Sequence, residues 1–255
     1  MPSSPAPARP FTPAAIWAGR AGSLSSGIIA GIREALFSRQ LKPGDFIGTE
    51  NELAARHGVS RIVARDALRT LQALGIAEIK MGKGGGARIA RGNISLFAEA
   101  LAVQLELTGV TAAEIVDAQR GIECVAAELA AGHATAAELA NLDTLLAHAA
   151  KNIRDVAAFT RAGRDFHLAI ARASHNRVLV VQLISLQHVP WPKDNRTLTA
   201  KVAVHILEVH RKLAALLQAR DGAAARALMD DHVKMIRSRR SAERDAAPAT
   251  LTGCC

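Results

Sequence analysis

Gly58-Val59-Ser60-Arg61-Ile62-Val63-Ala64-Arg65-Asp66-Ala67-Leu68-Arg69 is the stretch on which the fold turns. Arg61, Arg65 and Arg69 recur at i, i+4 and i+8, so they share one helical face within about 80° of arc. Val63, Ala67, Leu71 and Leu74 fall on the other side. One side is expected to bury against a core while the other presents guanidinium groups. Ser60 is placed to cap the helix, and Gly75 to end it after Leu74. A planar guanidinium can bind guanine O6 and N7 together, or grip a phosphate. A solvated basic face is the plainer reading of such a helix, and its neighbours decide between the two.

Upstream, Thr49-Glu50-Asn51-Glu52 spells a capping box, which predicts a short helix over 50–57 stopped by Gly58. Two short helices joined at His57-Gly58-Val59 make a helix-turn-helix pattern. Downstream, strand candidates at 76–80 and 87–91 flank Met81-Gly82-Lys83-Gly84-Gly85-Gly86, which reads as the tip of a wing. Further upstream, Leu24, Ile28, Ile29, Ile32, Ala35 and Leu36 predict a helix over 24–40, ended by Pro43-Gly44-Asp45. In this setting the basic face reads as a DNA-binding surface. Arg61, Arg65 and Arg69 would reach bases or phosphates. Ser60 would donate to a phosphate, Ile62 would touch a thymine methyl, and Lys83 in the glycine-rich tip would approach the duplex backbone.

Charge supports the division. Residues 1–92 hold 13 Lys/Arg against 6 Asp/Glu, a net +7, while residues 93–255 hold 19 against 17, a net +2. A basic module joined to a near-neutral one fits a nucleic-acid binder with a second function. From Ile94 to about Arg240 the pattern is helical, in segments near 94–107, 111–132, 135–151, 154–173, 176–189, 195–219 and 222–240. Short breaks between them predict an antiparallel bundle. The expected chain is mainly α: a disordered segment over 1–22, a winged helix-turn-helix over 23–92, an all-helical domain over 93–240 and a disordered tail over 241–255.

No apolar run approaches the ~20 residues that span a bilayer. The first ten residues do not read as a secretion signal. The three cysteines, Cys124, Cys254 and Cys255, make no disulfide framework. A soluble, cytoplasmic protein is expected.

Three of the nine histidines carry a geometric argument. His210 and His232 lie on successive helices joined at Asp221-Gly222, and position 221 is midway between them. In an antiparallel hairpin the two imidazoles then sit at one level and face each other. Such a pair suits a divalent metal (zinc, nickel or iron), with His167 able to supply a third ligand.

Residues 24–91 resemble the winged-helix domain of GntR-family regulators, in Thr49-Glu50-Asn51-Glu52-Leu53-Ala54, in Val59-Ser60-Arg61-Ile62-Val63-Ala64-Arg65-Asp66-Ala67-Leu68 and in the wing. The resemblance implies that Arg61 and Arg65 contact operator DNA, with Ser60 and Gly82 nearby. The family's DNA-contacting arginine on the preceding helix is replaced here by Asn51, beside Thr49, which leaves the helix intact and the base preference open. Residues 94–240 resemble the helical ligand domain of the FadR-type branch, the FCD domain. The matching pieces include Asp117-Ala118-Gln119-Arg120-Gly121-Ile122-Glu123, Phe166-His167 with Ser174-His175-Asn176, and Ala227-Leu228-Met229-Asp230-Asp231-His232.

By that resemblance His167, His210 and His232 fall on three metal-ligand positions. The fourth, an aspartate one turn before His167, is Gly163 here, and Asp165 lies about 200° around the helix from His167. Two readings follow: a three-His metal site completed by water or an effector carboxylate, or histidines that bind an anionic ligand directly. Arg120 and Asn176 are candidates for the effector. Arg120 matches a carboxylate bidentately, or else pairs with Glu123 or Glu114 on its own helix. The function expected is a homodimeric regulator of operator DNA, a repressor released by a small organic or sugar acid. A metal-dependent enzyme using the three histidines and a DNA-binding dimer with no sensing role are the alternatives.

Overall fold

The computed structural model describes residues 23–82, 84–188 and 198–245, with side chains described as far as Ser238. The segment 1–22, the last ten residues and Lys83 lie outside the described residues. The chain divides into two compact units, residues 1–93 and 94–255.

The first unit begins with helix α1 (Leu24–Phe37), capped by Ser23, whose hydroxyl accepts from the Ser26 N–H. Strand β1 (Phe46–Gly48) follows, then α2 (Glu50–His57), α3 (Arg61–Ala73), β2 (Ala77–Lys80) and β3 (Gly86–Ile89). The order in the sheet is β1-β3-β2, antiparallel throughout. Strand β1 is absent from the sequence reading, because three residues are too few for a period to show. The wing strands come out slightly shorter than expected.

Local chemistry sets these bounds. Thr49 and Glu52 form both halves of the capping box: the Thr49 hydroxyl accepts from the Glu52 N–H at 3.3 Å, and the Thr49 N–H donates to Glu52 Oε2 at 2.7 Å. Gly58 ends α2 in the left-handed region, φ 62°, where a side chain is strained. In the wing, Gly86 is fixed by space as well as by φ: a Cβ there would lie 2.6 Å from Cε2 of Phe46.

The buried stripe of α3 is Ala64, Ala67, Leu68 and Leu71. The expected stripe through Val63 and Leu74 is corrected by this: Val63 is half-buried, and Leu74 is the exposed C-cap. Spacing i, i+3, i+4, i+7 selects the face that meets Ile28, Ile32, Ile47, Leu53 and Ile89. Burying Leu68 and Leu71 contributes about 1.5–3 kcal/mol each.

The second unit is an antiparallel helical bundle: α4 (Ile94–Leu107), α5 (Ala112–His133), α6 (Ala136–Lys151), α7 (Val156–Ala173), α8 (Arg177–Gln187), α9 (Ala200–Gln218) and α10 (Gly222–Asp245). Thr111–Glu114 and Thr135–Glu138 are complete capping boxes that start α5 and α6. Asp155, Asn176 and Thr199 cap α7, α8 and α9. Helix α10 continues to Asp245, so residues 241–245, expected in a disordered tail, are helical.

The core joins Leu142, Phe166, Ile170, Leu213, Leu217, Met229 and Val233. Ala127, Ala130 and Ala131 on α5 let α10 approach closely. At Gly222 a Cβ would stand 3.0 Å from the Glu128 carbonyl oxygen. This packing sets α9 beside α10 and both across the core from α7, and these three helices carry the histidines.

Candidate nucleic-acid interface and metal centre

On α3, Arg61, Ile62, Arg65 and Arg69 are all exposed, and Ile62 retains 77% of its surface. An apolar side chain left out among three arginines has no core role, and a thymine methyl is a partner of the right chemistry. Ser60 caps the helix, its hydroxyl oxygen accepting from the Val63 N–H at 3.3 Å, which leaves the hydroxyl hydrogen free to donate. Asn51 is exposed on α2. Thr49 is committed to its capping box. Gly82 is exposed at the wing tip with φ 91°, beside Met81 at 91% exposure.

Glu50 is the residue the sequence reading missed. Its carboxylate takes a two-pronged bond from Arg65, Nε to Oε1 at 2.8 Å and Nη2 to Oε2 at 2.9 Å, and Arg61 Nη2 lies 3.7 Å away. Arg65 holds the Glu50 carboxyl below its ordinary range, and the carboxylate in turn raises Arg65. No spacing rule links residues 50 and 65, so the pair is visible only once α2 and α3 are folded together.

In the helical unit, His167 on α7, His210 on α9 and His232 on α10 turn their Nε2 atoms to one point. The three Nε2–Nε2 distances are 3.2 Å (His167–His210), 3.1 Å (His210–His232) and 3.3 Å (His232–His167). All three side chains are buried. Phe166 stacks on His210, with ring centroids 4.5 Å apart.

Three neutral imidazoles cannot satisfy one another in a triangle, because each Nε2 is either a donor or an acceptor. A metal ion satisfies all three at once. Ligand nitrogens ~2.0–2.1 Å from a tetrahedral zinc stand about 3.3–3.4 Å apart, which the triangle nearly matches. Burial, and then the neighbouring imidazoles of His167 and His232, push His210 well below its ordinary range, which favours the neutral, ligating form. The residues fit a divalent metal.

Glu123, on α5, completes the support. Its Oε2 lies 2.8 Å from His167 Nδ1, and both side chains are about 9% exposed. A carboxylate beside the outer nitrogen would hold the ring with its inner nitrogen available to a metal. Gly163 leaves its side of the site open: a Cβ there would meet only His210 Cε1, at 3.8 Å. A cavity of about 110 Å³ adjoins the histidines, lined also by Gln119, Glu123, Thr160, Gly163 and Arg164. Asp165 is exposed and lines no part of it.

Arg120 and Asn176 are not brought to this cavity. Arg120 donates through Nε to Asp230 and lines a separate groove of about 430 Å³ with Asp117, Cys124 and Arg226. Its partner is therefore on α10, not Glu123 or Glu114. Asn176 Oδ1 accepts from the Val178 and Leu179 N–H groups and caps α8. Arg164, three residues before His167 on the same helical face, is the cationic side chain that does line the cavity. That i, i+3 spacing was readable in advance.

With both sites in place, comparison with known proteins decides the family. Residues 24–86 match the model for bacterial regulatory proteins of the gntR family, and residues 114–235 match the FCD domain. The chain belongs to the gntR family. The Uxu operon regulator of Haemophilus influenzae is 29% identical over 204 residues, covering 76% of this chain and 73% of its own. The Glc operon transcriptional activator of Escherichia coli is 32% identical over 161 residues, covering 61% of this chain and 62% of its own. A solved structure of a Streptococcus agalactiae GntR protein covers 84% of this chain and 99% of its own, with TM-score 0.55 and 19% identity, and it shares the fold. This gntR-family protein is a DNA-binding transcription regulator, like its relatives, rather than an enzyme. Among the described residues no helix is long and apolar enough to cross a membrane.

Proposed function

We propose that this chain is a ligand-responsive, cytoplasmic repressor that binds operator DNA as a homodimer. Two copies of α3 would enter successive major grooves about 34 Å apart on a near-palindromic site. Arg61, Arg65, Arg69, Ile62 and Ser60 supply the contacts to bases and phosphates, with further contacts from Asn51, Thr49, Gly82 and Lys83. The helical unit holds a divalent ion (zinc, nickel or iron) on His167, His210 and His232. A small organic or sugar acid binds beside it and releases the DNA, a coupling of typically ~1–3 kcal/mol.

The observation that carries the sensor reading is the convergence of three buried Nε2 atoms within 3.1–3.3 Å of one another beside an open cavity. A metal on three neutral imidazoles has no anionic ligand, and Gly163 offers none. The effector's own carboxylate would complete the shell, with Arg164 facing its remaining charge. Direct binding of the acid by the histidines, without metal, is the poorer reading, because a neutral His210 brings no charge to an anion.

The test is elemental analysis of the purified protein, then thermal melting with organic and sugar acids, before and after removal of the metal. Bound divalent metal at about one per chain, and acids that stabilise only the metal-loaded form, support the proposal. A metal-free protein indifferent to every acid would leave a DNA-binding dimer with no sensing role.

A further inference from the structure

We propose that Glu50 is a specificity-determining residue of the DNA-reading face: it selects which edge of Arg65 meets the duplex, and it subtracts charge that would grip any sequence. The inference rests on the reading that Arg61 and Arg65 face DNA.

A guanidinium has five N–H groups in a fixed plane. The Nε–H and one Nη2–H of Arg65 are spent on the two oxygens of Glu50, at 2.8 and 2.9 Å. The side-on fork is therefore occupied. What remains is the end-on fork, one hydrogen from each Nη, which spans guanine O6 and N7. An arginine held by its shaft side has little freedom left to swing onto a nearby phosphate. Glu50 thus converts a mobile cation into a directed donor pair.

The carboxylate is not needed for the fold of its own helix. Thr49 and Glu52 already make both bonds of the capping box at the start of α2. Both oxygens of Glu50 face α3, and Arg61 lies 3.7 Å from Oε2. One carboxylate thus serves two arginines of the reading helix. A third of its side-chain surface stays exposed, so its charge is felt by an approaching duplex.

A negative charge on a DNA-facing surface opposes phosphate. Binding to arbitrary sequence is driven by phosphate neutralisation and counterion release, so it loses most. A matched sequence recovers the loss through the base contacts of the oriented guanidinium. Glu50 therefore weakens arbitrary binding more than matched binding, which is the meaning of specificity.

The experiment uses the full chain, a duplex selected by it from a random pool, and a scrambled duplex of the same length. Fluorescence anisotropy over a range of salt concentrations gives both affinities for wild type, Glu50→Gln, Glu50→Asp and Arg65→Ala. Glu50→Gln keeps the size of the side chain and removes its charge. It is expected to bind the scrambled duplex more tightly and to lower the selected-to-scrambled ratio about tenfold. Glu50→Asp keeps the charge on a shorter arm, so its scrambled affinity stays low while the ratio still falls. An unchanged ratio in both Glu50 variants, with selected-site affinity lost in Arg65→Ala, overturns the role of Glu50 alone. Arg65→Ala binding as wild type overturns the DNA-facing reading beneath it.

Discussion

Glu123 Oε2 stands 2.8 Å from His167 Nδ1, in a spot where each side chain keeps about a tenth of its surface. A carboxylate that far from solvent needs a partner, and a buried imidazole with its inner nitrogen turned to two other imidazoles supplies one. A proton on Nδ1, beside Glu123, would leave the Nε2 lone pair facing His210 and His232.

Replacing Glu123 with Gln keeps the shape and removes that charge. Outer partners of metal-bound histidines are worth about 10–100-fold in metal affinity. Glu123→Gln should lose that much zinc affinity in competition with a chromophoric chelator, with its helical circular dichroism retained. Equal affinity would show that the ring is held by packing, through Phe166 and the core, and not by Glu123.

Position 163 gives the reverse experiment. A Cβ there has ordinary contact distance to His210 and space beyond, so Gly163→Asp should fold and bring a carboxylate to the histidines. It also trades glycine for a better helix former within α7. Metal affinity should rise, and the stabilisation by added acids should shrink, because the protein now supplies the anion. No change in either quantity would place the cavity away from the metal.

Cys124 offers a check on the groove between α5 and α10. Burial, and then the nearby Asp230 carboxylate, push its thiol up to about 11. At pH 8 only about one thiol in a thousand is ionised, and the thiolate is the reactive form. Peptide mapping after brief alkylation of the folded protein should therefore find Cys124 unmodified, and modified after denaturation. Rapid labelling in the folded state would mean that α5 and α10 separate readily.

Acid should act at the same groove. A hydrogen bond from Arg120, and then one from Lys234, hold the Asp230 carboxyl down at about 2, against an ordinary value near 3.8. A lowered carboxylate contributes stability above its ordinary value and loses it as pH falls through about 2. Wild type should therefore melt above Asp230→Asn at pH 5 to 8, and the gap should close between pH 4 and 2. A gap that persists at pH 2 would assign the difference to packing instead of charge.

How much of this was readable in the chain depends on the range of the interaction. The helix-turn-helix was legible because its signals are local: the Thr49–Glu52 box, the left-handed Gly58 and the Ser60 cap each act within four residues. The His210–His232 pairing was legible because a hairpin converts distance from the turn into height along the helices. The Glu50–Arg65 and Glu123–His167 pairs were not legible, since each joins two helices whose relative rotation is fixed only by packing. The same limit explains Arg120, whose reach to Asp230 depends on how closely the alanines of α5 admit α10. The stripe on α3 was misplaced by a fraction of a turn, because Val63 and Leu74 are apolar and only the folded core shows that they lie outside it.

The most direct test of the account is selection of duplexes from a random pool by the full chain, set beside the Arg61→Ala/Arg65→Ala variant. Wild type should enrich one motif with two related half-sites about one helical turn apart, and the variant, folded and dimeric, should enrich none. Enrichment of the same motif by both proteins would contradict it.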